Sequence, residues 1–319
     1  MTEDEEDFGS EAVPQGTEHQ HGSSKFGHVS VLLKEAIDFL AIRRGGTYVD
    51  ATLGAGGHGY EIARRLGPEG HLIGVDKDPY ALEIARQRLA NPPAALKQDW
   101  PRITLLHSGF ADAGRQFPPD SVDGLLADLG LSSLQLNDAA RGFSFQAEGP
   151  LDMRMDPQGE RTADQVVNHM DEKELAHVIY EFGEERRSRR IARAIVRARP
   201  ITTTAHLVKV ISAALRPMKG ERIHPATRTF QAIRIFVNRE LDELVALMLS
   251  APQLLGKGGR LAVISFHSLE DRIVKDALRA GASQGLYRVL TKKPVTAQPE
   301  EIERNPRSRS AKLRAAEKI

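Results

Sequence analysis

The sequence predicts an α/β fold: a doubly wound, mostly parallel sheet interrupted by an all-helical insert. Three observations carry this prediction. From about Gly27 to Gly130, short apolar runs alternate with segments of helical period, as strands joined by crossover helices require. After Gly130 the strand pattern stops for about a hundred residues, and only helical periodicity continues. A strand then returns at Gly259-Arg-Leu-Ala-Val-Ile-Ser-Phe266. The expected organisation is a tail over 1–26, a sheet domain over 27–137, a helical insert over 138–226, and the rest of the sheet domain over 227–319.

Taken in order, the expected strands are 47–51, 71–75, 103–107 and 122–127, with helices near 30–40, 59–66 and 79–90. Asp78-Pro79 opens the last of these helices, an N-cap followed by proline at the first position. Ligands of such sheets sit beyond the carboxyl ends of the strands. Asp50, Asp76 and Asp128 each follow an apolar run, so all three are expected to face one crevice. In the insert, 138–160 reads as loop, and helices follow at 171–182, 185–199, 204–215 and 227–250. Asp171-x-x-Glu174 reads as a capping box, and the last helix as one long element leading back to the sheet. Gly256-Lys-Gly-Gly is a turn signal before the strand at 259, and strands near 286–291 and 310–316 end the chain, with a loop at 292–306.

Composition excludes several classes. With 40% hydrophobic and 27% charged residues, the 319-residue chain is an ordinary globular sequence. It has no apolar run long enough to span a bilayer and no signal-peptide pattern, so a cytoplasmic location is expected. Zero cysteines exclude disulfides, thiolate nucleophiles and cysteine metal sites. Residues 1–20 hold seven acids and no Lys or Arg, so the net charge of +1 becomes +8 without them. That Glu-, Gly- and Ser-rich start reads as a disordered, solvated extension.

Asp50-Ala-Thr-Leu-Gly-Ala-Gly-Gly-His-Gly59 joins the first strand to the second helix. Its glycines let backbone approach a ligand closely, and Asp76, ending the next strand, suits two ribose hydroxyls. Gly54, Gly56 and Gly59 match the dinucleotide fingerprint. The loop equally suits S-adenosylmethionine, with Asp50 placed to hold the amino-acid end. Loop and acid alone leave NAD and S-adenosylmethionine open.

The segment Asp128-Leu-Gly-Leu-Ser-Ser133 separates the two. A dehydrogenase has no need of it at the end of the fourth strand, whereas methyltransferases acting on exocyclic amines place a polar group there. The lone pair of a cytosine N4 is delocalised into its ring. Asp128, accepting a hydrogen bond from N4, would help localise that pair, and the in-line displacement would gain the rest of its rate from orientation. An NAD-dependent oxidoreductase and a non-catalytic protein that keeps the cofactor pocket for structure are the alternatives.

The chain resembles the RsmH (MraW) family. The resemblance rests on His28-Val-Ser-Val-Leu-Leu-Lys-Glu-Ala36, Gly56-Gly-His58, Asp128–Ser133, Arg141-Gly-Phe-Ser-Phe145, Gly149–Asp156 and Gly183-Glu-Glu-Arg186. It continues through His224–Ile235, Ile264–Val274 and Asn305–Ser310. It implies a class I methyltransferase fold and S-adenosylmethionine-dependent N4-methylation of a decoding-site (P-site) cytidine in 16S ribosomal RNA within the 30S subunit. It also implies cofactor contacts at Gly56, Gly57, His58, Asp76, Phe110, Asp128 and Gln135. Leu134 stands where the family usually has proline, which would relax the loop carrying Gln135.

The remaining candidates concern RNA. Arg186, Arg190, Arg193 and Arg197 recur at helical spacing opposite Ile191, Ala194, Ile195 and Ala198, a one-signed stripe suited to phosphates. Residues 216–239 add six Lys or Arg against one acid, including Arg228 and Arg234, and 302–319 add six against two. His267, just past the fifth strand, is expected either to meet the target base or only to precede a Ser268-x-x-Asp271 capping box. Phe143, Phe145 and Phe266 are candidates to clamp an extruded base. His58 has no second metal ligand at useful spacing, so no metal is expected, and a cofactor-contact or loop-packing role is expected instead.

Overall fold

The computed structural model describes residues 30–113, 116–215 and 223–319. The acidic tail, His28 and part of the basic run at 216–239 lie outside them.

The chain opens with α1 (Leu33–Leu40), then alternates β1 (Thr47–Asp50), α2 (Gly57–Leu66), β2 (His71–Asp76) and α3 (Pro79–Leu89). β3 (Arg102–His107), the short α4 (Phe110–Ala113) and β4 (Val122–Asp128) complete the first half. Side chains of neighbouring strand residues leave on opposite faces, and here both faces are apolar. Tyr48 and Leu72 join a core with α1, α2 and α3, while Val49, Ile73 and Val75 join a second core on the other face. That two-sided burial is why the strands read as apolar runs rather than as alternating patterns. Asp78 caps α3 by accepting the Tyr80 amide, with Pro79 in the first turn.

The helical layer holds α5 (Ser133–Asn137), α6 (Ala163–His169), α7 (Glu172–Gly183), α8 (Ser188–Ala198) and α9 (Thr204–Ala214). Asp171 caps α7 by accepting from the amides of Lys173 and Glu174. α6 was not among the expected helices, yet Thr162-x-x-Gln165 forms a complete capping box at its start. The expected helix over 227–250 is two helices, α10 (Thr227–Asn238) and α11 (Glu240–Leu254), because Arg239 between them is left-handed at φ 53°. The break separates two packing partners. Phe230, Ile233 and Val237 of α10 enter the core of the helical layer, whereas Leu244, Leu247 and Leu254 of α11 pack on the sheet. α10 thus packs with the insert, not with the second part of the sheet domain to which 227–319 was assigned.

β5 (Leu255–Ser265), α12 (Ser268–Ser283), β6 (Tyr287–Val289), α13 (Pro299–Arg304) and β7 (Lys312–Lys318) close the chain. The Gly256–Gly259 turn signal falls inside β5, where its register against β4 shifts between Val122 and Gly124. α13 occupies part of the stretch expected as loop. The seven strands run in the order β3-β2-β1-β4-β5-β7-β6. β1 to β5 are parallel, and β7 lies antiparallel between β5 and β6. The order reverses between β1 and β4, and a crevice opens there at the carboxyl ends of the strands.

Candidate active site

A cavity of about 500 Å³ fills that crevice. Its floor is the glycine loop. Gly56, the N-cap of α2, takes φ 76°, a conformation that glycine adopts without a steric penalty. A side chain at Gly57 would collide with the Ser30 hydroxyl. Gly57 thus presents backbone to the cavity at the start of α2. Gly56 does not line the cavity, and a side chain there would meet Ala85 of α3 instead, so the cofactor contact expected at Gly56 is corrected to Gly57 beside it.

Two of the three sheet-end acids line the cavity, Asp76 and Asp128, together with Gly57, His58, Phe110 and Gln135. Asp50 does not. It is 1% exposed and accepts the Thr52 amide at 3.3 Å, while its Oδ2 has no hydrogen-bond partner. Burial, with Asp76 nearby, raises its pKa to about 7. The expectation that Asp50 faces the crevice and holds the cofactor's amino-acid end is therefore corrected: it lies beneath the glycine loop.

Asp76 is organised by backbone. Its Oδ2 accepts from Gly54 at 2.7 Å and its Oδ1 from Asp78 at 2.8 Å. Burial still raises its pKa to about 6. Asp128 has the opposite character. Its amide donates to the Thr52 hydroxyl at 2.6 Å, which fixes the end of β4. Its Oδ1 is buried without a hydrogen-bond partner, and its Oδ2 lies 3.6 Å from His58 Nδ1. Burial, then the charges of Asp50 and Glu270, raise its pKa well above the usual carboxylate range. A cluster of acids held above their ordinary pKa attracts a cation, which would restore their ionised forms.

His58 is 5% exposed and its Nε2 lies 3.0 Å from the Val31 carbonyl oxygen. The ring thus lies between the Val31 backbone, just before α1, and Asp128. Gln135 serves the protein as much as the cavity. It completes a capping box with Ser132, and its amide nitrogen donates to Asp78 Oδ2 at 3.0 Å. Arg141 reaches the same oxygen at 2.9 Å. Leu134 lies inside α5, so the expected relaxation of this loop does not occur. Thr52 and Asp78 were not singled out from the sequence as site residues; Asp78 carried only its N-cap signal.

The RNA candidates divide. Arg186, Arg190, Arg193 and Arg197 are exposed, on or just before α8, whose Ile191, Ala192 and Ile195 are buried. Arg193 meets Glu172 at 3.4 Å. Arg228 is half-exposed and 3.8 Å from Glu185. Arg234 belongs elsewhere: it lines the cavity and makes two hydrogen bonds to Glu240, at 2.8 and 2.9 Å. That burial and pairing correct its place on an exposed phosphate-tracking surface. His267, by contrast, is not on the cavity wall. It is the N-cap of α12 and forms the capping box with Glu270. The box expected from Ser268 and Asp271 is replaced, and Asp271 instead holds Arg314 at 2.6 Å. Phe143, Phe145 and Phe266 all line the cavity, with Phe230 beside them. Phe145 packs edge-on to Phe230 at 5.0 Å between ring centroids. Among the described residues no group of three His, Asp or Glu side chains is placed to hold a metal ion.

The donor set fits an adenosyl sulfonium. Asp76 suits ribose hydroxyls, Phe110 offers an aromatic face to adenine, and the uncapped start of α2 suits a carboxylate. Asp128 at the end of β4 suits the cationic sulfur. Sheet order and site together define a class I, S-adenosylmethionine-dependent methyltransferase. Sequence comparison narrows this further: a model described as the MraW methylase family matches residues 25–319, and the chain belongs to that family. It is 69% identical over 307 residues to "Ribosomal RNA small subunit methyltransferase H" of Koribacter versatilis, covering 96% of this chain and 97% of that one. A protein of the same name from Acidobacterium capsulatum is 65% identical over 291 residues, covering 91% of this chain and 98% of that one.

Proposed function

We propose that the chain methylates the exocyclic N4 of a decoding-site (P-site) cytidine in 16S ribosomal RNA, acting in the cytoplasm on the 30S subunit. The observation that carries this reading is the unpartnered Asp128 oxygen in a cavity walled partly by aromatic rings. Bound S-adenosylmethionine supplies an electrophilic methyl group. The residues of the chain orient the other reactant. Asp128 Oδ1 accepts a hydrogen bond from the N4 amino group, which draws the lone pair out of ring conjugation and aims it along the displacement axis. Thr52 keeps Asp128 in place through its amide, and His58 packs against its second oxygen. Phe143, Phe145 and Phe266 exclude water around the extruded pyrimidine. As the N–C bond forms, the methyl–sulfur bond breaks and leaves a neutral thioether, and the surplus proton on nitrogen passes to solvent without a dedicated base.

Names of the relatives support the ribosomal substrate, and the exposed arginines of α8 support RNA contact. The test is methylation of purified small subunits that lack the modification, read by mass spectrometry of nucleosides. N4-methylcytidine at one decoding-site position is the expected product. A methyl group on another base, or none, would reject this reading; none would favour a non-catalytic assembly role.

A further inference from the structure

Three Lys or Arg residues line the cavity: Lys77, Arg234 and Arg307. Two are already neutralised, Lys77 by Glu243 at 2.9 Å and Arg234 by Glu240 at 2.8 Å. Arg307 is not. It sits on the short turn Pro306–Ser310 and is half-buried. Its guanidinium donates to the Ser133 hydroxyl. Among the described residues no carboxylate lies within ion-pair distance of it. Burial depresses its pKa, as expected of a cation that lost water without gaining a counter-charge. Ser132, Ser310 and Phe266 also line the cavity.

A guanidinium left without a counter-ion in a ligand cavity calls for an oxyanion. Two are available to this reaction: the methionine carboxylate of the cofactor and a phosphodiester of the substrate. The carboxylate already has a place at the uncapped N-terminus of α2, a ten-residue helix with Gly57 facing the cavity. Arg307 instead touches Ser133, on the stretch that follows Asp128.

We propose that Arg307, with the Ser133 hydroxyl beside it, binds a phosphodiester flanking the target cytidine and so seats the base against Asp128. This rests on the ribosomal RNA reading above. The phosphate contact carries no sequence information; it sets how far the nucleotide enters.

The experiment compares wild type with Arg307→Ala, Arg307→Gln and Arg307→Lys in the full chain. It measures direct binding of unmodified small subunits across a salt series, calorimetric binding of S-adenosylmethionine, and turnover. Expected for Arg307→Gln and Arg307→Ala is subunit binding weakened about 10- to 100-fold, with a salt slope lowered by about one. Their affinity for S-adenosylmethionine should stay within about twofold of wild type. Arg307→Lys should recover part of the loss, since it restores charge without the fork. If Arg307→Ala unfolds, the Gln and Lys pair decides the matter, because Gln keeps a polar amide donor but lacks the charge that Lys retains. Unchanged subunit binding in Arg307→Gln would overturn the proposal. So would weakened cofactor binding with subunit binding intact, which would assign Arg307 to the methionine carboxylate. Because the readout is binding, it stands apart from the functional reading, whose failure would show as wild type that binds subunits without methylating them.

Discussion

Asp76 and Asp128 close the two strands that flank β1, and the protein treats them differently. At the end of β2, backbone amides of Gly54 and Asp78 meet both Asp76 oxygens. At the end of β4, one Asp128 oxygen is buried with no donor. An unsatisfied buried acceptor costs about 1–3 kcal/mol, a cost that a folded chain keeps only where something else recovers it. The β2 end is a finished platform that presents a ligand surface already shaped on folding. The β4 end is unfinished, and its missing partners arrive with the reactants.

The sharpest way to break this contrast is Asp128→Ala. Methyl transfer should fall by about a thousand-fold or more, the scale expected when a reactant loses its orienting group. Nucleoside mass spectrometry would show it, and near-normal turnover would remove Asp128 from the chemistry. Asp76→Ala should act on binding instead. Losing a charge-assisted ribose contact should weaken S-adenosylmethionine by about 2 kcal/mol, or roughly 30-fold. It should also destabilise the fold, since two backbone amides lose their acceptor; calorimetry and thermal melting read these separately.

Asp50→Asn sharpens the comparison from beneath the loop. The folded-state pKa of Asp50 is about 7, above its ordinary value of 3.8. A raised pKa means that the neutral form is favoured, so this group's contribution to stability is full below about pH 4 and is lost as pH rises through 7. Asparagine stays neutral throughout. The variant should therefore gain on wild type between about pH 4 and 7, by at most about 4 kcal/mol, and the gain should level off above that. Urea unfolding at pH 5 and pH 8 would show it, and a difference independent of pH would refute titration of this carboxyl as its cause.

The smallest effect is expected far from both acids. Arg190→Gln, Arg193→Gln and Arg197→Gln together should weaken subunit binding several-fold and flatten its salt dependence, while cofactor affinity stays unchanged. These side chains are exposed on α8, and each exposed charge contributes little alone. Wild-type subunit affinity in the triple variant would place the RNA on another surface.

Much of this molecule was legible in the residue order because its signals are local. Alternating apolar runs marked the parallel strands, Asp78-Pro79 marked the start of α3, and the glycines of 54–59 marked the loop that a cofactor approaches. Tertiary packing decided the rest. Arg239 turns left-handed because α10 and α11 serve different cores, a demand that helical periodicity over 227–250 does not encode. Asp50 and Asp128 both end apolar runs, yet one lies beneath the loop and the other on the cavity wall. Arg234 and Arg307 are both members of basic runs, and only their three-dimensional neighbours reveal that Glu240 neutralises one while a serine hydroxyl holds the other. The sequence by itself determined which segments must be buried and which backbone must bend. Which charges meet was set by the fold, because a charge's partner is chosen by distance in space across elements far apart along the chain.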